Sequence, residues 1–127
     1  MANDGPLEAW LLVADWDLLA ARTLLNASPS QPAVAIYHAQ QAVEKLLKAA
    51  LVAEGIHPPQ THDLAALAAR VKGRRNEITR IGDLDEITGW ATLMRYPDDD
   101  PLGVPDMPEH VEIEKVIAGG KALRRTF

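Results

Sequence analysis

Hydrophobic residues recur every three or four positions through most of this chain, the spacing that places them on one face of an α-helix. Proline and glycine interrupt this pattern and divide it into separate segments. The pattern predicts helices over residues 6–26, 33–54, 62–72, 76–95 and 108–125. Because no segment alternates with the period of a strand, we predict an all-α fold, an up-and-down bundle of four to five helices.

The second segment has the widest apolar surface and is therefore predicted to be the central helix. Its polar residues form two adjacent rows, which are His38, Gln41, Lys45 and Lys48 in one and Gln40, Glu44 and Lys48 in the other. Glu44 precedes Lys48 by four residues, the favoured order for an ion pair along a helix. These rows either form an ordinary solvent-exposed face or line a groove that binds a ligand.

Two further places carry candidate functional residues. At the start of the third segment, Thr61 is a good N-cap and Asp63 suits the first turn, but capping does not explain His62. At the end of the fourth segment, Arg95 either stabilises the last helical turn or clamps a phosphate while Tyr96 stacks on the ligand. The acidic run at residues 98–100 is more typical of a solvated loop than of a magnesium site, so we expect neither a metal nor a cofactor.

Composition adds limits to this interpretation. The 127 residues predict one domain, 1–127, with a net charge of 13 − 18 = −5 and no cysteine, which excludes disulfides and thiolate metal sites. We find no membrane span and no secretory signal, and we expect a cytoplasmic protein. The charge is segregated, because residues 70–80 and 115–127 are basic while residues 83–114 are acidic. The basic turn at 70–80 is either a solvated surface or a contact for a phosphate or an acidic partner.

In combination, four stretches of the sequence resemble the HEPN family, named for higher eukaryotes and prokaryotes nucleotide-binding. The stretches are WDLLAA at 16–21, YHAQQAVEKLLKA at 37–49, PQTHDL at 59–64 and RYPD at 95–98. The resemblance extends from about residue 7 to residue 125. It implies a compact bundle of four to five helices, usually a homodimer, that is often encoded beside a minimal nucleotidyltransferase.

The family contains ribonucleases, often toxins, and members that bind nucleotides without catalysis. The ribonucleases have an arginine followed four to six residues later by a histidine, and no such pair occurs in this chain. A metal-independent ribonuclease needs a general acid or base at the phosphodiester, for which histidine is the usual residue. The acidic loop after Arg95 would also repel an RNA backbone. We therefore expect a protein that is not an enzyme, and we do not favour RNA as its ligand.

The resulting hypothesis is a binding module for a nucleotide or another phosphorylated ligand. It would dimerise and act with a nucleotidyltransferase partner, with a toxin–antitoxin pair as one setting. Lys45 and Lys48 would contact phosphate, Arg95 would clamp it, and Tyr37 or Tyr96 would stack. The candidate ligand-binding residues are Tyr37, Gln41, Glu44, Lys45, Lys48, His62, Arg95 and Tyr96. The alternatives are a ribonuclease toxin with a relocated site built from His62, Arg95 and His38, and a helical adaptor in which these residues have no role.

Overall fold

The computed structural model describes residues 4–95 and 107–127, and the side chains of residues 6–92 and 107–127. It contains helices and no strand in these ranges, which confirms the predicted all-α class. The helices are α1 (Asp4–Asn26), α2 (Pro32–Ala53), α3 (Leu64–Arg70), α4 (Arg75–Ile81), α5 (Leu84–Arg95) and α6 (His110–Arg124).

Helix α2 is the centre of the bundle, as its wide apolar surface predicts. It packs antiparallel along α1 and also contacts α3, α5 and α6. Its alanines at 35, 39, 42 and 50 are fully buried, and their small size lets the neighbouring helices approach closely. The largest side chains fully buried in the core are Leu25, Ile36, Leu46, Leu47, Leu51, Leu64, Leu67, Ile81, Ile87, Ile113, Ile117 and Leu123.

The prediction of one helix over residues 76–95 is wrong, because the structure contains two helices there, α4 and α5, separated at Gly82. Gly82 has φ +129°, a backbone conformation that residues other than glycine rarely adopt. Asp83 then starts α5 by accepting hydrogen bonds from the backbone N–H groups of Asp85 and Glu86 at 3.1 and 3.2 Å. The two glycines of this segment, Gly82 and Gly89, predict either close packing or a late helix start. Among the described residues, Gly89 has no neighbour within 4 Å of where a Cβ would lie, so no close contact with them is seen there.

Close packing occurs instead at α6, where Gly119 and Gly120 are buried. A Cβ on Gly119 would lie 2.8 Å from the Cα of Ile81, and one on Gly120 would lie 3.0 Å from Leu18. Gly119 therefore lets α6 lie against α4 at a distance that alanine would not permit, whereas alanine at Gly120 would require the Leu18 side chain to shift. This contact fixes the position of α6 beside α1.

Candidate functional site

Three parts of the chain meet along one side of α2, which we call the polar edge of α2. It consists of His38, Gln40, Gln41, Glu44, Lys45 and Lys48. Helix α1 faces it with Asp17 and Trp10, and the segment leading into α3 adds His62. His62 directly precedes the N-cap of α3. The cap is Asp63, which accepts a hydrogen bond from the N–H of Ala66 at 3.1 Å, and not Thr61 as predicted.

Glu44 is the central acid of this edge. Its Oε1 lies 2.9 Å from Nδ1 of His62, and its Oε2 accepts a hydrogen bond from Nζ of Lys48 at 3.1 Å. The side chains of Glu44 and Lys48 are 5% and 10% exposed, whereas that of His62 is 62% exposed. Because a carboxylate only accepts, Nδ1 of His62 carries the proton that it shares with Glu44. The opposite ring nitrogen, Nε2, forms no hydrogen bond to the described residues and remains available to a ligand.

The environment of Glu44 keeps it ionised at neutral pH. Burial raises the pKa of this carboxyl, but hydrogen bonds from His62 and Lys48, and the charges of both groups, hold its pKa below the ordinary value. The ammonium of Lys48 also lies 5.6 Å from the centre of the Trp10 ring, within the range of a cation–π contact. The buried negative charge is thus compensated within the site.

A second carboxylate organises the other end of the edge. Asp17 on α1 accepts a hydrogen bond from Nζ of Lys45 at 3.0 Å, and its second oxygen lies 3.0 Å from Nδ1 of His38. The ring of Tyr37 meets that of His38 edge-on, with 5.7 Å between the ring centres. Asp17 therefore holds a lysine and a partly exposed histidine in fixed positions.

Two glutamines connect these ends into one hydrogen-bonded chain. Lys45 donates to Oε1 of Gln41 at 3.1 Å, and Gln41 donates to Oε1 of Gln40 at 2.9 Å. Gln40, fully buried, donates to Oε1 of Glu44 at 3.4 Å. Every polar residue of the edge is therefore fixed by a neighbour, and each lysine is paired with a carboxylate.

The structure brings most of the predicted site residues together. Glu44, Lys48 and His62 are in direct contact, and Gln41 and Lys45 are joined to them through Gln40. Tyr37 lies at the His38 end. Arg95 is the last residue of α5, but its side chain and all of Tyr96 lie outside the described residues, as do the aspartates at 98–100. Binding of a ligand by these residues stays a prediction.

Sequence reasoning missed Asp17, Trp10 and Gln40 as members of the site. Asp17 and Trp10 lie beside the buried stripe of α1 formed by Ala14 and Leu18, a position that the helical period alone identifies. The period does not show which neighbouring helix lies along that side. Gln40 was recognised as part of a polar row, but its complete burial depends on how α1 and the segment before α3 cover α2.

The basic turn at 70–80 uses two of its cations for structure. Arg75 donates to the carbonyls of Ala68 and Val71 at 2.6 and 2.7 Å, which satisfies the end of α3. The guanidinium of Arg74 lies 4.0 Å from the centre of the Phe127 ring and fixes the C-terminal segment. Hydrogen bonds from the backbone of Gly73 and of Lys72 hold the pKa of Glu54 below its ordinary value. The turn is therefore already bound to a carboxylate of the same chain.

No helix in the described ranges is long and apolar enough to cross a membrane. In the same ranges, histidine, aspartate and glutamate side chains form no group of three or more arranged to hold a metal ion.

These observations define a small helical domain whose central helix carries a buried, charge-compensated network ending in an exposed histidine. The HEPN domain family model matches residues 7–125, and the chain belongs to that family. Membership supports a role related to nucleotides or RNA in general. A search of curated proteins and a search of solved structures found no match.

Proposed function

We propose that this HEPN domain is a non-catalytic module that binds a nucleotide or another small phosphorylated ligand at the His62 end of the polar edge. The observation that carries the proposal is the exposed imidazole of His62, held at Nδ1 by a carboxylate that is itself buried and paired with Lys48. An imidazole that is fixed at one ring nitrogen and exposed at the other is pre-organised to bind a ligand.

The chemistry of this arrangement suits a phosphoryl group. With Nδ1 engaged by Glu44, the ring offers Nε2 to the ligand, and a protonated imidazole donates a charge-assisted hydrogen bond to a phosphate oxygen. Lys48 is joined to the ring through Glu44, and Lys45 and Lys48 are proposed as further contacts to the phosphate. Arg95 is proposed to clamp the phosphate, and Tyr37 or Tyr96 to stack on a base.

The balance of charge favours a small ligand over a long polyanion. Lys45 pairs with Asp17 and Lys48 pairs with Glu44, so these residues do not form a strip of uncompensated cations. Binding of a nucleic-acid backbone draws on several such cations, and a chain of net charge −5 lacks the overall attraction. One phosphorylated group at His62 needs only a local donor.

The test compares two histidines of the same loop. His62→Ala removes the proposed ligand contact, whereas His57→Ala removes another exposed histidine that forms no hydrogen bond with the described residues. Isothermal titration calorimetry with ATP, AMP and inorganic phosphate should show binding to the wild type and to His57→Ala. Loss of one charge-assisted hydrogen bond, about 1.5–3 kcal/mol, should weaken binding by His62→Ala at least about tenfold.

Two results would refute this assignment. One is that none of the three compounds binds the wild type, and the other is that His62→Ala binds them with unchanged affinity. Circular dichroism of each variant shows whether the fold is retained, which the exposure of both histidines leads us to expect.

The partner and the oligomeric state rest on the family. HEPN domains often dimerise and bind nucleotides. We propose that this chain also forms a homodimer and acts with a minimal nucleotidyltransferase, in a toxin–antitoxin pair or a related setting. A nucleotidyltransferase encoded beside the gene and expressed together with this chain should co-purify with it in a fixed ratio. Separate elution of the two proteins would count against the partnership.

One observation favours the ribonuclease alternative. A carboxylate that holds Nδ1 of an exposed histidine, as Glu44 holds His62, is also the arrangement that orients a general-base imidazole. A ribonuclease would arrest growth on expression and cleave RNA in vitro, and His62→Ala would lose both effects. Under the binding proposal, purified wild type leaves RNA intact with and without Mg²⁺.

A further inference from the structure

Helix α1 carries an apolar surface that faces solvent. Leu12, Trp16 and Leu19 are 49%, 59% and 66% exposed, three of the four exposed large hydrophobic side chains in the described part of the chain. Their spacing of four and then three residues places them on one face of the helix. We call these three residues the α1 stripe. A soluble domain rarely leaves such a contiguous row uncovered without a use for it.

The Leu19 end of the stripe lies beside a basic part of α6, whereas the residues around Leu12 include Glu8 and Asp15. A cleft of about 310 Å³ lies between the two helices, with Leu18 and Leu19 among its lining residues. Its cations are Arg22, Lys121, Arg124 and Arg125. Arg22 pairs with Glu114, and Arg124 pairs with Asp15. Lys121 and Arg125 form no ion pair with any residue in the described ranges, although the charge of Lys121 helps to hold the pKa of Glu114 below its ordinary value, after the hydrogen bond from Arg22. The four cations outnumber Glu114 and Asp15, so this edge of the stripe has a net positive charge.

We propose that the α1 stripe and its basic edge bind an acidic amphipathic helix of a partner protein. The apolar face of that helix covers Leu12, Trp16 and Leu19, and its acidic side pairs with Lys121 and Arg125. Recognition of an amphipathic helix on an apolar surface with complementary charge at the rim is a recurrent mode of protein binding. This surface is separate from the His62 end of α2, and the proposal does not depend on ligand binding there.

Two other occupants of the stripe are a second copy of the chain and an anionic bilayer. A two-fold axis perpendicular to α1 would place the two basic edges side by side, and an axis parallel to α1 would place them on opposite sides of the interface. In neither arrangement does the partner's stripe supply a carboxylate to Lys121 and Arg125, because Leu12, Trp16 and Leu19 carry no charge. An anionic bilayer would also attract the cations and Trp16, so binding to vesicles is a separate outcome of the experiments below. An acidic helix satisfies both the apolar stripe and the two unpaired cations.

The first experiment tests the stripe with a defined probe. The probe is a hydrocarbon-stapled helical peptide with leucines on one face and glutamates beside them, labelled for fluorescence anisotropy. Leu19→Asp places a charge in the stripe, and Ala66→Asp places the same charge at an exposed position of α3. Because a central apolar contact is lost, Leu19→Asp should bind the peptide at least about tenfold more weakly than the wild type, whereas Ala66→Asp should bind normally.

The second experiment tests the charge. The double variant Lys121→Glu/Arg125→Glu should lose affinity for the glutamate peptide and gain affinity for a matched peptide in which lysines replace the glutamates. The control Arg70→Glu/Arg80→Glu reverses two exposed cations on α3 and α4 and should leave both affinities unchanged. Raising the salt concentration should weaken the wild-type complex with the glutamate peptide.

Three results would overturn the proposal. The first is that the wild type binds the glutamate peptide no better than the lysine peptide. The second is a purified wild-type dimer that Leu19→Asp converts to a monomer in analytical ultracentrifugation, which would assign the stripe to a second copy. The third is binding to vesicles of phosphatidylserine and phosphatidylcholine that Leu19→Asp abolishes, which would assign it to a membrane surface.

Discussion

Replacement of Glu44 by glutamine removes one charge from the middle of the polar edge and keeps nearly the same shape. In the wild type, Glu44 accepts from Lys48 at 3.1 Å and lies 2.9 Å from His62. Glutamine offers one oxygen in place of two, and its amide N–H₂ faces groups that are themselves donors. The ammonium of Lys48, 10% exposed, then has no carboxylate partner among the described residues.

The size of the effect follows from this uncompensated charge. Removal of one partner from a buried ion pair destabilises a protein by about 3–5 kcal/mol. The contact of Lys48 with the Trp10 ring and the oxygen that glutamine retains both reduce the loss. We therefore expect Glu44→Gln to lower the free energy of unfolding by about 3 kcal/mol, a large part of the 5–15 kcal/mol (roughly) typical of a small domain.

Urea unfolding followed by circular dichroism at pH 7 measures this quantity. Glu86→Gln is the matched control, because Glu86 is exposed on α5 and its loss should change stability by about 0.5 kcal/mol or less. Lys48→Met should also destabilise the protein. Because the second substitution removes a charge that the first left unpaired, the double variant should lose at least about 1 kcal/mol less than the sum of the two.

The dependence on pH provides a further test of the same reasoning. The pKa of Glu44 lies below its ordinary value in the folded protein and at that value in the unfolded chain. A carboxyl with a lowered folded pKa contributes stability that is complete above the unfolded pKa and is lost as the pH falls through the folded one. The gap between wild type and Glu44→Gln should thus be full at pH 7 and shrink below about pH 4. A difference below about 0.5 kcal/mol at pH 7 would refute the buried-pair argument.

Three other substitutions test the packing and the ligand proposal. Gly119→Ala should lower the melting temperature, because its Cβ would lie 2.8 Å from the Cα of Ile81 and overpacking costs about 1–3 kcal/mol. Gly89→Ala should raise the melting temperature, because alanine is more favourable than glycine in a helix by about 1 kcal/mol and the described residues leave 4 Å free around the position of its Cβ. A shift of the same sign in both variants contradicts the assigned contact. Arg95→Ala should abolish nucleotide binding in calorimetry with a nearly unchanged circular-dichroism melt, and unaltered affinity would remove Arg95 from the site.

The fold class was predictable because each helix buries one face against the others, and burial imposes a period of three to four residues on the sequence. The break between α4 and α5 was predicted only as one of two explanations for Gly82 and Gly89, a late helix start. Its signal was Gly82, but a glycine within an apolar period is compatible with a continuous helix at a modest cost. Only the backbone, with φ +129° at that residue, shows that the chain turns there.

The site was predictable only as far as contacts within one helix determine it. The pair of Glu44 and Lys48 follows from a spacing of four residues, and the structure contains it. The contact of Asp17 with Lys45 joins residues 28 positions apart, so it depends on the rotation of α1 about its axis, which a single sequence does not specify. The contact of His62 with Glu44 likewise needs the path of the chain between α2 and α3.

The position of α1 relates the two proposed surfaces to each other. One side of this helix contacts the polar edge of α2 through Asp17 and Trp10, and another side exposes Trp16 and Leu19. Because an α-helix with its side chains is about 10–12 Å across, a helix bound to the stripe would lie one helix diameter from the polar edge of α2. A small rotation of α1 on partner binding would move Asp17 and Trp10 against Lys45 and Lys48.

If the two surfaces are coupled in this way, saturation with the glutamate peptide should change the affinity for nucleotide, and the nucleotide should change peptide affinity by the same factor. Equal affinities with and without the peptide would show that α1 keeps the two surfaces independent.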